Sequence, residues 1–247
     1  MKLDQHFLVN EDICRFIVSL CLIKEEDCVV EIGPGNGEIT KFIPKCNLIL
    51  IEKDSDLCFS LKKKFPFAKI INGEGVDELK NIDFDFLISS VPYSICEPLL
   101  WEILLHRFKK VILVLPQKFV NKISQNRSSL AFISNNLFII KIVKKLKKED
   151  FNPKPRVDSV VVVIERNKNS NKILEEVIFQ SDKKLKNALR EAIVKVNNKT
   201  KREAKAIIEN IKKSVNGEVD SKIFDKELNK SVKKASLKTL IRITSIK

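Results

Sequence analysis

The chain has 247 residues, 44% of them hydrophobic, and a formal net charge of +14. That composition supports a real core, built as one large domain or as a larger and a smaller one. No run of eighteen or more uncharged apolar residues occurs, and the N-terminal MKLDQHFLVNED carries acids where a secretory signal needs an apolar stretch, so the expectation is a cytoplasmic protein with no membrane partner.

In chain order, EDICRFIVSLCLI has helical periodicity, DCVVEIG reads as a short apolar strand, GEITKFIPK as a helix and NLILIEKD as a second strand. The alternation continues through DLCFSLKKKF, the strand AKIINGEG, the strand FDFLISS, the helix CEPLLWEILLHRF and the strand KKVILVLP. Fully apolar runs of this kind suit strands buried on both faces, so the fold class is α/β with a doubly wound, mainly parallel sheet. Two later strands, FIIKIVKKL and VDSVVVVIER, flank the proline-bearing loop EDFNPKPR and read as an antiparallel hairpin closing the sheet edge.

After the linker-like RNKNSNK the pattern is helical: ILEEVIFQ, KKLKNALREAIVKV, KREAKAIIENIKK and LKTLIRIT. The division is therefore a first domain over 1–166 and a small helical domain over 172–247. The second span holds 20 of the 46 Lys and Arg but 10 of the 32 Asp and Glu. Such a surplus favours a polyanionic partner, with nucleic acid the commonest for a soluble protein. The cysteines at 14, 21, 28, 46, 58 and 96 contain no C-x-x-C pair, and two histidines do not complete a metal set. They read as reduced packing residues, with no metal site.

The segment VVEIGPGNGEIT places Glu31, Gly33, Gly35 and Gly37 between a strand and a helix, where glycines allow a sharp turn and close approach to a ligand. Glu52 ends the next strand, where a carboxylate accepts from both hydroxyls of a ribose. The spacing differs from the dinucleotide fingerprint G-x-G-x-x-G, because its third glycine comes one residue early. An acidic residue ahead of the loop suits a cationic adenosine cofactor, S-adenosyl-L-methionine, better than a pyrophosphate. After FDFLI, the loop SVPYSI contains Pro92, which cannot continue a central strand, beside the chain's one tyrosine, Tyr93. Loops at the carboxyl ends of strands are where ligands bind in such sheets.

With these pieces in order, the chain resembles the KsgA-type ribosomal RNA small-subunit adenine N6,N6-dimethyltransferases along nearly its whole length. The resemblance is carried by QHFL at Gln5 to Leu8, EIGPGNG at Glu31 to Gly37, IEKD at Ile51 to Asp54, SVPYSI at Ser90 to Ile95, and FNPKPRVDSVVV at Phe151 to Val162. PQKFVNKI and FQSDKKLKNAL match more weakly. The resemblance implies a Rossmann-like class I methyltransferase sheet with a small C-terminal helical domain that binds RNA. It implies a cofactor pocket of His6, Leu8, Glu31, Gly33, Gly35, Glu52, Glu74 and Ser90, and an adenine site of Ser90, Pro92, Tyr93 and Phe151. In three places the chain departs from the family: asparagine is usual where His6 stands, aspartate where Glu74 stands, and asparagine where Ser90 stands.

In the family-type mechanism the adenine leaves its helix and stacks on Tyr93, while its amine donates to Ser90 and to the Val91 carbonyl. The implied reaction is dimethylation of two adjacent adenosines near the 3′ end of small-subunit ribosomal RNA, during ribosome biogenesis. The implied partner is that RNA in an immature subunit, bound by a monomer. Two rivals stand beside this reading: a large-subunit ribosomal RNA adenine methyltransferase, and a catalytically weak ribosome-assembly factor that binds RNA.

Overall fold

The computed structural model describes residues 6–213 and 218–244, so Gln5 of the QHFL motif lies outside the described residues. The elements run β1 (Phe7–Leu8), α1 (Glu11–Ser19), β2 (Cys28–Ile32), β3 (Asn47–Glu52), α2 (Ser55–Lys64), β4 (Lys69–Asn72), α3 (Gly75–Leu79), β5 (Phe86–Ser90) and α4 (Cys96–Ile103). They continue through β6 (Lys110–Pro116), α5 (Gln117–Ile123), α6 (Ser129–Leu137), β7 (Phe138–Leu146), β8 (Phe151–Asn152) and β9 (Ser159–Arg166). The helices α7 (Lys172–Ile178), α8 (Leu185–Asn197), α9 (Lys201–Lys213), α10 (Glu218–Leu228) and α11 (Leu237–Thr244) follow.

Seven strands form one sheet in the order β4-β3-β2-β5-β6-β9-β7, parallel from β4 to β6, with β9 antiparallel to both its neighbours. The expected α/β class holds. The hairpin of FIIKIVKKL and VDSVVVVIER is also present, and its second strand is the one inserted beside β6, which leaves β7 at the edge. The apolar face of α1 (Ile13, Cys14, Ile17) packs on Val29, Leu50, Ile88, Ile112 and Val161 of the sheet. Asn10 caps α1 by accepting from the Asp12 and Ile13 amides, and Asp54 does the same for α2, which fixes where each helix starts.

The helix expected over GEITKFIPK is reduced to a run of turns and one 3-10 helical turn at Thr40–Phe42. Positive φ at Gly35 and Gly37 delays any helical start, and Pro44 forces Ile43 into an extended conformation. Too few residues remain between them for an α-helix.

As far as they are described, residues 6–121 and 138–166 form one compact unit, and residues 122–137 and 167–244 form a second. The linear division at 166 assigned 122–137 to the first domain, whereas in the fold they pack with the C-terminal helices. Leu130, Ile133 and Leu137 of α6 are buried there, and Ser129 Oγ donates to the Ala235 carbonyl at 3.0 Å. Within this second unit α8 buries Leu185, Ala188, Leu189, Ala192 and Ile193 along one face and ends on Asn198 in the left-handed region. Lys186, Lys199, Lys201, Arg202 and Lys205 are exposed on α8, α9 and the connection between them. Among the described residues no helix is long and apolar enough to cross a membrane.

Candidate active site

One cavity of about 270 Å³ lies at the carboxyl ends of β2, β3 and β5. It is lined by every residue that the sequence nominated: His6, Leu8, Glu31, Gly33, Gly35, Glu52, Glu74, Ser90, Pro92, Tyr93 and Phe151. Parallel pairing explains part of this convergence, because the register that sets Ile32 beside Ile51 and Ser89 brings the three strand ends to one level.

The glycine loop forms the floor. Gly33 has φ +67° and a Cβ there would meet nothing within 4 Å, so the backbone offers an open cradle. Gly35 has φ +59°, and a Cβ would stand 2.7 Å from the Phe7 ring, which closes against the loop from the N-terminal side. Glu52, 5% exposed, accepts from the Gly35 amide (3.2 Å) and the Asp54 amide (3.0 Å), so its carboxylate is fixed at the tip of β3. Glu74 stands at the rim and pairs with Lys53 at 2.5 Å.

Glu31 is 1% exposed and accepts from Thr40 Oγ1 at 2.6 Å. Burial pushes its carboxyl up to about 8; the Thr40 hydroxyl opposes this, and the Glu38 and Glu52 carboxylates add to it. Folded Glu31 therefore keeps a proton that the unfolded chain releases near its ordinary value of 4.5. The Glu31 contribution to stability is accordingly fully present below that value and is lost as pH rises to about 8, with a slope of up to about 1.4 kcal/mol per pH unit from this one group. Urea titrations of the wild type and Glu31→Gln across this window check it: the variant is expected to lose the slope, and an equal slope in both removes Glu31 as its source.

The second wall is the SVPY loop. Pro92 ends β5 and starts a 3-10 turn over Tyr93–Ile95, as its ring and missing amide require. Tyr93 Oη is 3.1 Å from Ser159 Oγ, and its ring lies 6.2 Å from that of His6, tilted by 35°. His6 Nδ1–H donates to the Pro153 carbonyl at 2.8 Å. The third wall comes from β8, where Phe151 is 5% exposed and belongs to the hydrophobic core while also facing the cavity. β8 pairs antiparallel with β1, Leu8 opposite Phe151, and Asn10 Nδ2 donates to Asp150 Oδ1 at 2.7 Å. This ladder holds the N-terminal residues His6 to Leu8 against the proline loop.

Reading the sequence left out Phe7, Glu38, Lys53 and Ser159, which also line the cavity. Phe7 and Ser159 fall inside the quoted motifs QHFL and FNPKPRVDS, and Lys53 inside IEKD, so the motifs contained them while their roles had no local signal. The lining suits S-adenosylmethionine: beside the protonated Glu31, the three carboxylates of Glu38, Glu52 and Glu74 outnumber the one lysine, the glycine cradle is open, and Glu52 is fixed at the tip of β3, the position that accepts from a ribose in such folds. All six cysteines are unpaired, and burial raises the Cys14 and Cys21 thiols to about 12, so neither supplies a nucleophile.

The sequence model described as ribosomal RNA adenine dimethylase matches residues 1–222. The chain is similar to a probable ribosomal RNA small subunit methyltransferase A from Pyrococcus furiosus, 30% identical over 85% of this chain and 83% of the relative. It is 34% identical to the ribosomal RNA small subunit methyltransferase A of Malacoplasma penetrans over 68% of this chain and 66% of the relative. Among solved structures, a dimethyladenosine transferase from Plasmodium falciparum superposes with TM-score 0.63 at 23% identity, covering 96% of both chains. The 23S rRNA methyltransferase ErmE superposes with TM-score 0.59 at 18% identity, covering 96% of this chain and 98% of that one. At such identities these two structures speak for the fold alone. The family match and the sequence relatives go further: this chain belongs to the ribosomal RNA adenine dimethylases, enzymes that use S-adenosylmethionine.

Proposed function

We propose that this enzyme transfers two methyl groups in succession to the N6 amine of each of two adjacent adenosines near the 3′ end of small-subunit ribosomal RNA. The observation that carries the reading is the convergence of Glu52, Ser90, Tyr93 and Phe151 on one cavity at the strand ends. The choice of the small subunit rests on what the sequence relatives are named for.

Bound S-adenosylmethionine supplies an electrophilic methyl group on a sulfonium. Glu52 holds the ribose hydroxyls, Glu74 the rim of the adenine ring, and the Gly33–Gly35 backbone and Leu8 the remainder, with His6 closing the N-terminal side. Tyr93 stacks the flipped adenosine and Phe151 packs against its edge. Ser90 Oγ makes no hydrogen bond among the described residues and accepts one amine hydrogen, while the Val91 carbonyl accepts another. With both N–H groups held by Ser90 and the Val91 carbonyl, the amine lone pair would be turned toward the cofactor side of the cavity; the amine would gain the methyl group that the sulfonium gives up, and its extra proton would pass to water. Positioning supplies most of the effect, and no strong base is required.

The RNA is met in an immature subunit, in the cytoplasm, by a monomer whose basic helices over 172–247 grip folded RNA. The deciding experiment incubates the protein with labelled S-adenosylmethionine and undermethylated small or large subunits, followed by nucleoside analysis. Dimethyladenosine in the small subunit alone is expected. Label in the large subunit would replace the substrate assignment, and cofactor-free binding with no transfer would leave an assembly factor.

A further inference from the structure

We infer that the edge strand β7 and the loop after it form a phosphate track, which holds the RNA backbone flanking the adenosine that enters the cavity. This rests on the reading that the substrate is an RNA whose base reaches Phe151. From Lys141 to Arg156 the chain carries seven cations and two carboxylates. Both carboxylates are already engaged. Asp150 is buried and accepts from Asn10 Nδ2 and the Lys147 amide, each at 2.7 Å, and Glu149 pairs with Lys154 at 3.2 Å. Lys141, Lys144, Lys145, Lys147 and Arg156 are exposed and form no ion pair among the described residues.

Lysine on an edge strand also guards against edge-to-edge pairing, and β7 is an edge. Its register shows a more specific arrangement. Lys141 stands opposite Val163, and after a bulge at Val143, Lys144 stands opposite Val161. Residues three apart in a regular strand point to opposite faces; the extra residue turns Lys144 onto the face of Lys141. Lys144 Nζ lies 4.8 Å from the Phe16 ring of α1, on that same face. Beyond Leu146 the cations continue as Lys147 and Lys148, the latter donating to the Arg156 carbonyl at 3.3 Å, and the chain then reaches Phe151 in the cavity wall. Lys141 to Lys147 spans at most about 20 Å, the length of several nucleotides of backbone.

The test is equilibrium binding of the full chain, without cofactor, to a synthetic hairpin RNA with two adjacent loop adenosines, over about 50 to 200 mM salt. Lys141→Ala/Lys144→Ala/Lys147→Ala is expected to flatten the slope of log K against log salt by about 2 to 3, some 0.7 to 0.9 for each phosphate released. It is also expected to raise the KM for RNA while kcat at saturating RNA is kept, and arginine at the three positions restores both. A comparison variant removes Lys62, Lys63 and Lys69, on α2 and β4. Equal flattening by that variant, no flattening by the first, or wild-type binding without salt dependence overturns the track. A wild type that binds with the expected slope yet methylates neither the hairpin nor undermethylated subunits strikes the function proposed above and leaves the track standing.

Discussion

Replacing Tyr93 by alanine is expected to lower methyl transfer by about two to three orders of magnitude, because it removes both a stacking platform and the geometric constraint on the amine. Base-on-aromatic stacking contributes about 1–3 kcal/mol, and misplacing a reacting atom by an ångström costs about a hundredfold. The phenol is braced by Ser159 Oγ at 3.1 Å and flanked by the His6 ring, so its plane is set before any base arrives. Tyr93→Phe keeps the ring and loses the Ser159 bond, worth about 1 kcal/mol, so a severalfold decline is expected there. Cofactor affinity, measured by calorimetry, is expected to stay within about twofold in both variants, since stacking of the substrate base is absent from that measurement. Single-turnover rates decide the matter: a drop of only a few fold in Tyr93→Ala would remove the stacking role.

Glu52→Ala is expected to weaken S-adenosylmethionine binding by at least about a hundredfold, since it removes two bonds from the ribose hydroxyls and each hydrogen bond to a charged group contributes about 1.5–3 kcal/mol. The carboxylate is 5% exposed and already oriented by the Gly35 and Asp54 amides, so its remaining acceptor capacity is presented to the cavity without reorganisation. Glu52→Gln keeps the volume, but its NH2 replaces one of the two oxygens, so either the Gly35 or the Asp54 amide meets a donor in place of an acceptor and affinity is expected to fall nearly as far. Both changes also cost stability, about 1–3 kcal/mol for leaving buried donors unmet. Calorimetric titration with S-adenosylhomocysteine on the folded fraction separates the two effects. Wild-type affinity in either variant would place the ribose elsewhere.

How the site became legible follows from which of its parts are local. The strands β2, β3, β5 and β6 announce themselves as apolar runs because a strand buried on both faces needs nothing but apolar side chains. Gly33 and Gly35 mark a turn with positive φ, and Glu52 follows at the end of the next strand, so the single crossover from β2 to β3 contains the cofactor signal. Pro92 ends β5 by its own chemistry. Each of these depends on neighbours within one or two elements, and the sequence by itself determined them, together with the family motifs and the basic helical C-terminal span.

Only the tertiary structure decided the rest. Two-residue strands have no periodicity, so nothing in QHFL or EDFN foretold that β1 and β8 would pair and bring His6 and Leu8 to Phe151. Insertion of β9 between β6 and β7 exposed the edge lysines, and one unpaired residue at Val143 put Lys144 on the face of Lys141. Helix α6 joined the C-terminal unit because its buried stripe found partners among those helices. Even Glu31, plain in the motif, takes its proton from burial that is complete only when strands on both sides of β2 are in place. In every one of these cases the deciding free energy belongs to contacts between residues far apart in the chain, and local propensity is blind to them.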